Sequence, residues 1–155
     1  MSGDLQVVLE SGRVMLNCPT ANYSYEDHYT YFRKALQQIR MRLSNVQSAV
    51  VILGLGLGSV PYALQKLYGA NYPIDCVELD LDVIRLAKKY YPFKDCLERL
   101  IIHQANAKDC GMDNMRIFDL LIVDIFVDTR VPEQAHHIGF LQAQRRAVAP
   151  KKLCY

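Results

Sequence analysis

Hydrophobic positions follow two patterns along this chain, and the change comes near residue 48. Before it, apolar residues recur at strand or helix spacing with polar residues between them. Leu5 to Leu9 and Val14 to Leu16 are β-prone runs around Ser11-Gly12, a turn pair, and predict a small N-terminal β-hairpin. After Pro19, Ser24-Tyr25-Glu26-Asp27 offers an N-cap oxygen with acids for a first helical turn. Phe32, Leu36, Ile39 and Leu43 then form one apolar stripe, predicting a helix to about Leu43.

From Ala49 the apolar residues fall in short runs without polar alternation. Ala49-Val50-Val51-Ile52-Leu53 ends at a glycine, and Ile74-Asp75-Cys76-Val77, Leu100-Ile101-Ile102 and Leu120-Leu121-Ile122-Val123 follow. Helices are expected between them, over Val60 to Tyr68 (stopped by Gly69) and Val83 to Tyr91 (stopped by Pro92). Pro132 opens a helical region running to about Val148. Strands without polar alternation, separated by helices, imply a parallel sheet covered on both faces. Right-handed crossovers make that α/β sheet doubly wound. The expected organisation is a hairpin and helix over residues 1–47, packed on a sheet-and-helix core over residues 48–155. Leu153-Cys154-Tyr155 reads as the start of another strand, with Ala149-Pro150-Lys151-Lys152 as the turn before it. On that reading the C-terminal strands are truncated.

Composition narrows the function classes. In 155 residues, 51% hydrophobic and 22% charged is ordinary for a folded unit. Eighteen basic against sixteen acidic side chains leave a charge of +2. The basic residues are spread along the chain, so no nucleic-acid surface is indicated. The five cysteines (Cys18, Cys76, Cys96, Cys110, Cys154) never form a C-x-x-C pair. Neither a zinc site nor a disulfide framework is supported, and reduced thiols in a cytoplasmic protein are expected. No apolar run reaches the roughly 20 residues that span a bilayer. The amino-terminal residues also lack the pattern of a signal peptide.

Candidate chemistry concentrates at Leu53-Gly54-Leu55-Gly56-Leu57-Gly58-Ser59, between a predicted strand and a predicted helix. Alternate glycines let the backbone turn tightly and let a ligand approach it. The following helix directs free N–H groups and the positive end of its dipole at the loop. A dinucleotide fingerprint, G-x-G-x-x-G, would put its third glycine at Ser59, which disfavours a nicotinamide-dependent oxidoreductase. Glu78 ends the second predicted strand, beside the loop at the carboxyl edge, where a carboxylate can accept both hydroxyls of a ribose. Asp80 reads as the N-cap of the next helix.

The G-x-G-x-G loop is similar to the first motif of class I S-adenosylmethionine-dependent methyltransferases, which have a Rossmann-like core. The run from Val77-Glu78-Leu79-Asp80 to Lys88-Lys89-Tyr90-Tyr91-Pro92 resembles the spermidine synthase family and its methyltransferase relatives. So do Leu100-Ile101-Ile102-His103-Gln104-Ala105-Asn106-Ala107 and Asp119-Leu120-Leu121-Ile122-Val123-Asp124. The resemblance implies S-adenosylmethionine as cofactor, held by Gly54, Gly56, Gly58 and Glu78, with Leu79 flanking the adenine. Asn106 falls where the family usually has an aspartate that accepts from the adenine amino group. Equally, it caps the segment Ala107 to Cys110. Asp124 would lie near the sulfonium and act as the catalytic residue, orienting or deprotonating the acceptor, unless it merely caps the turn after the strand.

Two departures bear on the reaction. Polyamine synthases of this family have an aspartate in the glycine loop where this chain has Leu57, and an apolar side chain cannot balance an aminopropyl ammonium. They also follow the fourth strand with Asp-x-x-Asp-Pro, whereas here the run is Asp124-Ile125-Phe126-Val127-Asp128-Thr129. The expectation is a spermidine synthase-like methyltransferase acting on a small molecule or a protein. A non-catalytic cofactor-binding adapter and a polyamine aminopropyltransferase are the alternatives. No metal site and no membrane contact are expected, and an exposed sheet edge would invite a homodimer. Tyr23, Tyr25 and His28 are candidates to close over the pocket. His136 and His137, expected to open the late helix, read mainly as surface residues.

Overall fold

The computed structural model describes residues 5–19, 21–25, 30–43, 49–68, 73–91, 97–109, 117–126 and 130–154. Its centre is β4 (Val50–Leu53), whose four residues are all buried. β4 lies in a five-stranded sheet with β5 (Ile74–Glu78), β6 (Leu100–Gln104), β7 (Phe118–Val123) and β8 (Val148–Cys154). The order is β6-β5-β4-β7-β8, and every neighbouring pair is parallel. The chain therefore builds outward from β4 in one direction, then returns and builds outward in the other. The reversal falls between β4 and β7, and a doubly wound sheet opens its ligand crevice at such a point.

Side chains alternate across the sheet with a period of two. Val50, Ile52, Ile74, Cys76, Leu120 and Ile122 pack with Leu36 of α1 (Thr30–Leu43), Leu64 of α2 (Ser59–Tyr68) and Ala87 of α3 (Leu81–Tyr90). Val51, Leu53, Val77 and Leu121 pack on the other face with Phe140 of α4 (Ile138–Arg146) and Val148. Each fully buried Ile or Leu here contributes roughly 1.5–3 kcal/mol relative to exposure. The α/β, doubly wound parallel sheet with helices on both faces is the architecture that the short, non-alternating apolar runs predict.

Three local expectations are corrected. The expected amino-terminal hairpin is present as β1 (Gln6–Glu10) and β2 (Arg13–Cys18), and an unexpected β3 (Ala21–Tyr25) extends it to a three-stranded antiparallel sheet. Ser24 therefore pairs with Leu16 inside β3 and does not cap a helix. α1 begins at Thr30 with no acid in its first turn, because Glu26 and Asp27 lie ahead of it, outside the described residues.

The region after Pro132 is not one helix. A 3₁₀ turn over Glu133–His136 is separated from α4 by His137, which is extended at φ −77° and ψ 136°. No residue of that turn is buried, so packing does not extend it, whereas α4 carries Phe140, Ala143 and Gln144 into the core.

Ala149 to Lys152 are not a turn, and Leu153-Cys154 do not begin a strand. All belong to β8, which pairs Val148 with Phe118 and then Leu153 with Leu120. The extra residues of β8 form an irregularity that contains Pro150, where its missing N–H breaks no regular ladder. No helix among the described residues is long and apolar enough to cross a membrane.

Candidate functional site

The parallel ladder continues past the strand ends at the carboxyl edge. Gly54 N–H donates to the Val77 carbonyl at 2.8 Å, Asp124 N–H to the Leu53 carbonyl at 2.7 Å, and Ala105 N–H to the Glu78 carbonyl at 3.1 Å. The tips carrying the glycine loop, Glu78, Asn106 and Asp124 are thereby fixed side by side, with neighbouring strands about 4.8 Å apart. The backbone after β4 can turn there because Gly54, Gly56 and Gly58 adopt φ of 94°, 52° and 89°. L side chains rarely tolerate that region.

The outer glycines have a second, packing requirement. A Cβ on Gly54 would lie 2.0 Å from the Asp124 carbonyl oxygen. On Gly58 it would lie 2.3 Å from the Tyr91 ring, whose hydroxyl donates to Gln65 Oε1 of α2. Gly54 thus lets β7 approach the loop, and Gly58 admits the ring that wedges α3 under the start of α2. The turn is closed by Gly58 N–H on the Leu55 carbonyl at 2.9 Å, and α2 starts one residue later.

Glu78 points its carboxylate at this loop. Oε2 accepts from Leu55 N–H at 3.1 Å, and Oε1 accepts from Asp80 N–H at 2.9 Å. A carboxylate offers about four acceptor positions. One is used on each oxygen, so both oxygens retain a lone pair for a further donor. The donor set therefore fits a vicinal diol. Leu79, the next residue, is 60% exposed and presents an apolar surface at the same edge. Asp80 is the N-cap of α3, its Oδ1 accepting from Asp82 N–H at 2.9 Å.

Asn106 is engaged in the capping role. Its Oδ1 accepts from Lys108 N–H at 3.1 Å and its carbonyl from Asp109 N–H at 2.9 Å, closing the 3₁₀ turn Ala107–Asp109. Asp124 is half-buried at the tip of β7, while Asp128 and Thr129 lie outside the described residues. His136 closes the 3₁₀ turn and His137 precedes α4; both are exposed, and the break between turn and helix means that neither opens a continuous late helix. Tyr23 and Tyr25 belong to β3, and His28 lies outside the described residues.

Three features escape the sequence pattern. Leu57, in the glycine loop, is 4% exposed and packs with Leu16 of β2 and Val83 of α3. Asp75 is buried in β5, with Oδ1 2.7 Å from Nε2 of the partly exposed His103. Gln144 of α4 is fully buried, and its amide donates to the Ala107 carbonyl at 3.1 Å. A signal for Gln144 exists in hindsight, since it shares the inward stripe of Phe140, Ala143 and Ala147. Cys76 supplies no nucleophile: burial pushes its thiol well up, and the negative charges of Asp75 and Glu78 add to the shift. Among the described residues, no group of three or more His, Cys, Asp or Glu side chains could hold a metal ion.

No family model matches the chain. A polyamine aminopropyltransferase from Vibrio vulnificus is 30% identical over 104 residues, which is 64% of this chain and 34% of that protein. The chain thus spans about a third of the length of that curated relative. A probable spermidine synthase from Corynebacterium glutamicum superposes with a TM-score of 0.73 at 18% identity, covering 97% of this chain and 58% of the other. Human methyltransferase-like protein 13, solved in complex with SAH, gives 0.64 at 22% identity, covering 84% of this chain and 64% of the other. The chain has the Rossmann-like fold shared by class I S-adenosylmethionine-dependent methyltransferases and spermidine synthases.

Proposed function

We propose that this chain binds S-adenosylmethionine at the carboxyl edge of its sheet and transfers the methyl group to an acceptor, a small molecule or a protein side chain, beside Asp124. The observation that carries this reading is the Glu78 carboxylate, pinned against the glycine loop by Leu55 N–H with an acceptor position left on each oxygen. That arrangement suits the two hydroxyls of a ribose. Gly54, Gly56 and Gly58 give the backbone the tight bend that brings the loop to the strand edge, where a ligand can approach its main chain, and Leu79 offers an apolar surface to the base. Asn106, already capping a turn through Oδ1, has a second lone pair on that oxygen for an adenine amino group.

Bound S-adenosylmethionine supplies an already activated methyl group on a sulfonium. The protein's task is then alignment, which is a large part of the acceleration available to such a transfer. Asp124 sits across the β4–β7 reversal from Glu78. It would orient the acceptor's nucleophilic atom and take its proton as the methyl group passes from sulfur to that atom, with S-adenosylhomocysteine as the leaving group.

The Vibrio vulnificus relative favours a second reading, aminopropyl transfer from decarboxylated S-adenosylmethionine. Burial of Leu57 between Leu16 and Val83 argues against it, because the loop side chain has no freedom and no charge with which to meet an ammonium. Calorimetric titration with S-adenosylmethionine, S-adenosylhomocysteine, decarboxylated S-adenosylmethionine and NAD tests the site. The methyl-transfer reading expects binding of the first two in preference to the last two. Tight binding of the decarboxylated form alone would move the assignment to aminopropyl transfer, and binding of neither sulfonium compound would remove it. Turnover of S-adenosylmethionine to S-adenosylhomocysteine on an acceptor panel then separates a transferase from a cofactor-binding adapter of the same fold.

A further inference from the structure

We infer that Gln144 is a positioning residue for the base end of the nucleoside site, acting through the Ala107–Asp109 turn on Asn106. The inference rests on the nucleoside reading above and adds a residue to it. Gln144 lies in the last turn of α4, has no exposed surface, and occupies a position in the apolar stripe that packs α4 on the sheet. Its Nε2 donates to the Ala107 carbonyl at 3.1 Å, across 37 positions of sequence. Its Oε1 is buried with no hydrogen-bond partner among the described residues.

A buried amide with one half unpaired is a poor choice for stability. An apolar side chain of similar length would fill the same volume without stripping an acceptor of water. The amide therefore needs another reason to be there, and its one bond supplies it. Ala107 is the first residue of the 3₁₀ turn, and the residue before it is Asn106. Asn106 receives Lys108 and Asp109 N–H groups from the same turn, so turn and side chain move as one piece. On its other side the segment is tied to the ribose-facing strand by Ala105 N–H on the Glu78 carbonyl. Gln144 anchors the residue after Asn106 to α4, across the sheet face that carries Val77 and Leu53. With Ala105 tied to β5 and Ala107 tied to α4, Asn106 has an anchor on the residue at either side, which presents its amide in one orientation, and a single orientation is what distinguishing a 6-amino from a 6-oxo purine requires.

The test is Gln144→Met, which keeps side-chain length and removes the amide. Thermal unfolding is measured alongside calorimetric affinity for S-adenosylhomocysteine and for its inosine analogue. The expected result is a melting temperature equal to or above the parent's, with adenosine-analogue affinity reduced about tenfold, the scale of one lost hydrogen bond. Affinity for the inosine analogue changes little, so base preference shrinks. Asn106→Ala and the double variant complete a cycle, in which Gln144→Met adds no further loss once Asn106 is gone.

Unchanged affinity and preference in Gln144→Met would overturn the inference, as would additive losses in the double variant. A sharp fall in melting temperature or failure to fold would also overturn it, because the amide would then be a stability element. If the parent chain itself binds no adenosine analogue, the nucleoside reading falls first and this inference with it.

Discussion

Two backbone amides converge on one carboxylate at Glu78, and the consequences can be separated by substitution. Glu78→Ala removes the acceptors that Leu55 and Asp80 N–H use, together with both positions left for a sugar. Calorimetry should show nucleoside affinity falling by about 1–3 kcal/mol, and unchanged affinity would remove Glu78 from the site. Gly54 tests the loop from the other side. A Cβ there meets the Asp124 carbonyl at 2.0 Å on a backbone at φ 94°. Gly54→Ala must push β7's tip away from β4, and a loss of about 2–4 kcal/mol in denaturant unfolding is expected. A variant as stable as the parent would mean that the two tips are not held together. Alternating glycines announce a bend in the sequence, but not that two of the three are required by protein neighbours. Asp124 and Tyr91 are separated from the loop by whole elements, and only the fold brings them in.

Elements divide in the same way between local and long-range causes. β4, β5 and β7 are legible because a strand buried on both faces is dominated by apolar residues with no regular polar alternation, whatever its neighbours. α3 is legible because Asp80 caps it through its own side chain, a contact spanning two residues. Asp80→Ala should cost about 1 kcal/mol in thermal unfolding and leave cofactor affinity unchanged. A loss of binding there would mean that Asp80, not Glu78 alone, meets the ligand. β3 is not legible, since its residues alternate weakly and its pairing is decided by β2; the capping signal at Ser24 competes with it and loses. β8 is hidden by Pro150, which reads as a turn until the irregularity opposite Phe118 and Leu120 shows how a strand accommodates it. Asn106 illustrates a choice that its residue type leaves open. A carbonyl oxygen at a strand end can cap a turn or face a ligand, and it does the first here with an acceptor position left for the second.

Across the whole molecule, the amino-terminal sheet and the loop are one packing unit. Leu16 from β2, Leu57 from the loop and Val83 from α3 are buried together, with Val7, Val14 and Leu86 against them. Order in the loop is therefore order in β2. A ligand that binds only the folded chain stabilises it by about 2.7 kcal/mol at a hundred times its dissociation constant. Hydrogen exchange with S-adenosylhomocysteine should accordingly slow at β2 amides as well as at the loop. Leu57→Asp addresses the same unit and separates the two transfer chemistries. A carboxylate forced among Leu16 and Val83 loses the apolar contacts and is desolvated without a partner, so a loss of at least about 3 kcal/mol is expected in denaturant unfolding. Detachment of the amino-terminal sheet should show as faster exchange in β2. If Leu57→Asp instead remained as stable as the parent and gained affinity for decarboxylated S-adenosylmethionine, the side chain would be free to turn into the site. The apolar plug would then no longer argue against aminopropyl transfer.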